Sequence, residues 1–184
     1  HAHLATGEAL YLKSAQDLLN FLEITFLTPD GKALYRTYIN GRATHPATLR
    51  DYAFLIRAYL DIFQITNKRS LLSRVEELTG QVEADFLTKE GELYSYARLD
   101  LPDLIREVKD IVDDEMPSGN ALMLRNLQDL AILTGDKKYR KQLTALLAAM
   151  SDRVLSQPLT YAAWANAYLD DAEGVLEIAI IGKE

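Results

Sequence analysis

The sequence predicts an all-α protein built as three stacked helical hairpins, with short strands in its long loops and one strand near the C-terminus. Three observations carry that expectation. First, Phe26-Leu27-Thr28-Pro29-Asp30-Gly31-Lys32-Ala33-Leu34-Tyr35 is answered by Phe86-Leu87-Thr88-Lys89-Glu90-Gly91-Glu92-Leu93-Tyr94. A doubled segment at this kind of spacing marks a stacked repeat, whose single unit cannot bury its apolar face alone. Second, Ala5-Thr6-Gly7 is echoed by Ile65-Thr66-Asn67 and again by Leu133-Thr134-Gly135. Third, apolar residues recur with helical period along most of the chain, and no proline interrupts a predicted helix interior.

The elements follow in order. A first helix near 8–27 places Leu10, Ser14, Leu18, Phe21 and Leu22 on one face. Ala33–Asn40 then alternates as a short strand should. Over 50–64, the positions Tyr52, Ala53, Ile56, Tyr59, Leu60 and Phe63 make the apolar stripe of a second helix. A third, at 68–86, carries Leu71, Leu72, Val75, Leu78, Val82 and Phe86, and Glu92–Leu99 is a second candidate strand. The fourth, at 118–133, is apolar almost all round, as an inner helix should be. Two more are predicted at 136–155 and 158–170, and Val175–Gly182 is β-branched enough for a terminal strand. Gly7 and Gly135 stand where a left-handed C-cap is wanted. Pro46 and Pro117 stand at helix entrances, with Ser118 as an N-cap.

Grouped by the repeat, the hairpins span about 8–65, 68–133 and 136–170. The first two carry long crossing loops, both on one face of the array. Long loops inside a compact unit are often functional, so the site is expected on that face.

Composition bounds the chemistry. The 184 residues suffice for one core, with roughly 70% of the unfolded surface buried. A net charge of -7 argues against nucleic acid as a partner. The absence of cysteine excludes disulfides and thiolate sites within the chain, and three histidines make a metal site unexpected. No apolar run is long enough to span a membrane. With no export signal in view, a cytoplasmic setting is the expectation, and no cofactor is expected.

Leu49-Arg50-Asp51-Tyr52-Ala53-Phe54-Leu55, Met116-Pro117-Ser118-Gly119-Asn120-Ala121 and Leu133-Thr134-Gly135-Asp136 together resemble the helical part of the thioredoxin-domain-containing family related to spermatogenesis-associated protein 20. The resemblance implies an (α/α)6 barrel similar to those of sugar epimerases and six-hairpin glycosidases. Three hairpins are then half of such a toroid. It also implies missing N-terminal domains, including a thioredoxin-like one whose redox activity cannot be carried over. Arg50 stands where the family has an acidic residue, and Asp114-Glu115 where it has small ones.

Asp51 with Asp113 or Asp114 forms the candidate catalytic carboxylate set, since glycoside cleavage and epimerisation both need acids or bases on either side of a sugar ring. The competing structural role is helix capping or dipole compensation. His45 is the one internal histidine and a candidate for proton transfer; a loop role competes. Tyr35, Tyr52 and Tyr94 offer rings with polar tips for a sugar face, alongside Tyr38 and Tyr96. Arg98, with Arg42, could read an anionic group, and Asn120 completes the candidate ligand-binding set. Ser118 lacks the setting of a nucleophile. Two functions stay open: a carbohydrate-binding or carbohydrate-modifying barrel region, and a non-catalytic scaffold supporting a thioredoxin-like domain. The apolar flanks of half a toroid also predict association, as a homodimer that covers them.

Overall fold

A computed structural model describes residues 1–174; the predicted terminal strand at 175–182 lies outside the described residues. Seven helices and one β-hairpin are present among them: α1 (Ala2–Thr6), α2 (Ala9–Phe26), β1 (Tyr35–Ile39), β2 (Arg42–Pro46), α3 (Leu49–Thr66), α4 (Arg69–Phe86), α5 (Gly119–Thr134), α6 (Lys137–Ser156) and α7 (Ala162–Glu173). The long helices fall within a few residues of the periodic stretches.

The core runs along a row of helices, α3 against α5 and α5 against α7. Outside that row, α4 packs on α3 and α6 on α5. The stripe read on α3 is buried at Tyr52, Ala53, Ile56, Tyr59 and Leu60, and that on α4 at Val75, Leu78, Val82 and Phe86. The all-round apolar helix is the innermost: Leu122, Met123, Leu124, Leu127 and Leu130 of α5 are all buried. Polar side chains stitch the row as well, each finding a partner across it. Asn126 donates to the Ala53 carbonyl at 2.9 Å, and Gln128 to the Ala167 carbonyl at 2.7 Å. Arg57 joins Asp61 on its own helix to Asp129 of α5, at 2.8 and 2.6 Å.

The doubled sequence segment is a doubled structure. Thr28 N–H donates to the Ala33 carbonyl and Gly31 N–H to the Thr28 carbonyl, at 2.9 and 2.8 Å; Thr88 and Gly91 repeat both bonds with Leu93 and Thr88, at 3.0 and 2.9 Å. Gly31 and Gly91 both take positive φ (70° and 73°), which their turn requires. Beyond these turns the two loops diverge. The first continues as β1 paired antiparallel with β2 across Asn40-Gly41, both at positive φ as a tight hairpin demands. The predicted second strand, Glu92–Leu99, forms only isolated bridges at Tyr94 and Ser95. Ser95 N–H is spent on the Phe86 carbonyl and the Tyr96 carbonyl on Leu49 N–H, so no ladder extends.

The first helix also differs from its reading. Leu10, Leu18 and Phe21 of the predicted buried face are exposed on α2, and Leu19 is its one buried residue. Among the described residues α2 has α3, the short α1 and the β-hairpin beside it, so much of its apolar stripe has nothing to pack on.

Candidate functional site

The starts of α3, α5 and α7 are tied together by side chains, and this is the long-loop face of the array. Asp113 makes the central tie. One of its oxygens accepts from Ser118 N–H and the other from Ala163 N–H, both at 2.8 Å. A single carboxylate therefore serves backbone donors at the entrances of two helices. Trp164 adds a second link, donating from Nε1 to the Ile111 carbonyl at 2.9 Å and lying 3.2 Å from the Ser118 hydroxyl. Ser118 is the N-cap of α5, accepting from Ala121 N–H.

Arg50, the basic residue in an unexpected place, clamps the loop before α5. Its Nε and Nη2 grip Asp110 in a fork at 3.0 and 2.8 Å, and its Nη1 reaches Asp114 at 3.0 Å. Planar guanidinium and carboxylate fit such a fork well. Bonding to Asp110 holds the Arg50 guanidinium above its ordinary pKa, against the opposing effect of burial. Asp114 is drawn below the usual carboxylate range, first by Met116 N–H and then by Arg50. Asp110 also accepts from Gly119 N–H at 2.8 Å. A Cβ at Gly119 would stand 2.9 Å from that same oxygen, so the close approach requires glycine.

Asp51 caps α3. Its Oδ2 accepts from the Thr48 N–H at 2.7 Å and the Thr48 hydroxyl at 2.8 Å. Arg36 of β1 lies 3.8 Å from that oxygen and donates from Nη1 to the Tyr96 hydroxyl at 2.8 Å. Oδ1 of Asp51 and Nη2 of Arg36 have no hydrogen-bond partner among the described residues. Arg36, Asp51 and Tyr35 edge a cavity of about 280 Å³ whose floor, with Leu22, Phe54 and Ala58, is apolar. Neither Asp113 nor Asp114 lines it.

The remaining sequence-predicted residues are spread over structural tasks. Tyr52 is buried, accepts from Leu34 N–H at 3.0 Å, and lies edge-on to Phe86. Tyr94 is fully buried, and burial pushes its phenol up. Asn120 is buried too: it accepts from Tyr94 N–H and donates to the carbonyls of Tyr94 and Asp110. Arg98 is held between Asp85 and Asp100. His45, at a positive φ of 62°, faces the Thr37 and Thr44 hydroxyls at 2.9 and 3.0 Å in an exposed strand end. Tyr35 and Tyr38 stay on the accessible loop surface, where Tyr38 packs edge-on to Phe21. Sequence reasoning missed Arg36 and Asp110. Nothing local in the sequence singles out Asp110, which reaches Arg50 from sixty residues away. No group of residues suited to hold a metal ion is found among the described residues.

No protein-family model matches the chain. The spermatogenesis-associated protein 20 of Rattus norvegicus is 30% identical over 135 residues, which is 73% of this chain and 17% of that protein. The human protein of the same name is 27% identical over the same share of each. This chain is homologous to spermatogenesis-associated protein 20. It spans about 17% of the length of these relatives, so the homology extends to one part of them. Among solved structures, the GH76 alpha-mannanase of Bacteroides thetaiotaomicron aligns with a TM-score of 0.71 at 18% identity, over 94% of this chain and 48% of that one. The spermatogenesis-associated protein 20 homology is thus joined to an (α/α)6 toroid fold, of which this chain supplies about half.

Proposed function

We propose that the chain is one half of the wall of a carbohydrate-binding toroid within a longer protein, and that its part is to hold sugar rather than to supply the reacting acid and base. The observation that carries this reading is the Arg36–Asp51 pair at the toroid mouth, 3.8 Å apart, each with one polar atom free of protein partners among the described residues. A carboxylate oxygen beside a guanidinium N–H suits two neighbouring hydroxyls of a sugar, one donating and one accepting. Tyr35 and Tyr96 border it with aromatic surface. The alpha-mannanase likeness supports a mannose-type glycan as the first class to try. Two of the three candidate acids argue against chemistry on this half: both oxygens of Asp113 are engaged by backbone N–H groups, and Asp114 is salt-bridged, so Asp51 has no second free acid beside it.

The test is calorimetric titration of the full-length protein with manno-oligosaccharides and other glycans. Binding weakened at least tenfold by Arg36→Ala or Asp51→Asn is the expected result. Wild-type protein that takes up none of the glycans would instead favour a scaffold. That second reading has its own support, because Asp110 and Asp113 are spent on tying helix starts together and Asn120 on fastening the loop before α5.

A further inference from the structure

Of the six asparagines in the chain, Asn40 is the one followed by glycine. It also stands where a backbone amide has access to a side-chain amide. Asn120 and Asn126 are buried in α5 and hydrogen-bonded. Asn20 and Asn166 are set within α2 and α7, where the helix engages the next N–H. Asn67 is an exposed C-cap, but Lys68 follows it. Asn40 is exposed in the two-residue turn between β1 and β2, and its side chain has no hydrogen-bond partner among the described residues. Where a side chain would stand on Gly41 there is open space, with nothing within 4 Å. A residue without Cβ leaves its N–H open to approach from the preceding side chain.

The turn sits on a hairpin that little else supports. A two-stranded hairpin is marginal by itself in water, and this one has 5 residues in each strand, most of them exposed. Arg36 ties it to Tyr96 at 2.8 Å and to Asp51 at 3.8 Å. The Tyr38 ring rests on Phe21 and Phe26, and Ala47 N–H closes the base by donating to the Leu34 carbonyl at 2.9 Å. So small a unit opens at little cost. Opening also frees Asn40 from the left-handed φ of 51° that it holds in the turn, and lets its side chain swing onto the Gly41 nitrogen.

We propose that Asn40 is a site of spontaneous covalent modification, becoming isoaspartate, and that the change releases Arg36 from the mouth. The Gly41 nitrogen, having lost its proton to hydroxide, attacks Cγ of Asn40. The N–Cγ bond forms, the Cγ–Nδ2 bond breaks, and ammonia leaves. Water then opens the cyclic imide at one of its two carbonyls, and nothing is oxidised or reduced. Opening at one carbonyl leaves aspartate. Opening at the other leaves isoaspartate, with the main chain running through Cβ and Cγ. The two products act differently on the hairpin. Aspartate before glycine still suits a turn of this kind. Isoaspartate lengthens the main chain by one carbon inside a two-residue turn, and turn length sets the register, so the pairing of Ile39 with Arg42 is the first to go. Arg36 lies on the same strand, and its contacts with Tyr96 and Asp51 are lost as that strand lifts. The inference is independent of what the mouth binds.

The experiment incubates the folded protein in mildly alkaline buffer, digests it with trypsin and weighs the peptide 37–42, which is released by cuts after Arg36 and Arg42. A gain of one mass unit is expected there before any other asparagine-containing peptide changes. An isoaspartyl-specific methyltransferase then labels the isoaspartyl share. Hydrogen exchange over residues 35–46 is expected to be roughly tenfold faster in that fraction than in fresh protein. Asn40→Gly keeps the turn but carries no amide, so it should gain no mass and keep its slow exchange. Freshly prepared Asn40→Asp should carry the new charge with the hairpin intact. A peptide 37–42 that keeps its mass, or modification that appears first at Asn20 or Asn67, overturns the proposal. An isoaspartyl fraction that exchanges no faster than fresh protein overturns it as well. So does an Asn40→Asp variant whose hairpin is already open, because charge and not the lengthened main chain would then be the cause.

Discussion

At the level of single residues, a few side chains decide whether the mouth of the array holds its shape. Asp113 accepts from the starts of two helices, and removing it leaves Ser118 N–H and Ala163 N–H without their acceptor. Each buried donor left unpaired costs about 1–3 kcal/mol. Asp113→Ala is therefore expected to lower stability by about 2–4 kcal/mol in urea unfolding, and Asp113→Asn by less, since one acceptor oxygen remains. An unchanged midpoint in both variants would refute the tie. Gly119→Ala tests the neighbouring clamp. Its Cβ would meet Asp110 Oδ2 at 2.9 Å and Leu49 Cδ2 at 3.0 Å, so the Arg50–Asp110 fork must give way. A loss of about 1–3 kcal/mol is expected, and a crystal structure should show the fork displaced. These same residues show why the site was only partly legible. Thr48-x-x-Asp51 reads equally well as a capping pair and as an acid at a sugar site, because both need a carboxylate at a helix start. The position of the carboxylate was readable; the approach of Arg36, which the β-hairpin brings to it, was not.

Elements repeat that distinction between local and distant causes. The turns at Thr28–Ala33 and Thr88–Leu93 agree because every bond in them is local. The loops beyond them differ because only the first has Asn40-Gly41 to turn back on itself. The outer helix α4 gives a pH prediction. Burial raises the Glu83 carboxyl above its usual range, with Lys138 opposing and Asp136 reinforcing the shift. A carboxyl whose folded-state pKa lies above its unfolded value binds protons more readily in the native state. Stability then falls as pH rises through the interval just above the model-peptide value of 4.5. Glu83→Gln should remove that slope and stabilise the protein at neutral pH, measured as urea midpoints across pH 4 to 7 (about the carboxylate range). Identical slopes in the two proteins would sink the assignment.

Across the whole molecule, the stacked arrangement makes stability a sum of neighbouring interfaces rather than the property of one closed core. The inner helices α3 and α5 have partners on several sides, whereas α2 leaves Leu10, Leu18, Phe21 and Ile24 in water. Helices with few buried contacts open first under native conditions. The 184-residue chain should accordingly show its fastest long-helix exchange in α2 and its slowest in α3 and α5. Deleting side-chain volume should follow the same gradient. Leu127→Ala, at a fully buried position in α5, is expected to cost about 2–5 kcal/mol, whereas Leu18→Ala should cost well under about 1 kcal/mol. The two substitutions remove the same atoms from helices of similar length, so the difference isolates packing from propensity. Equal costs, or uniform exchange along the chain, would mean that the open flank of α2 is covered in solution. The gradient would then have to be sought again with that cover removed.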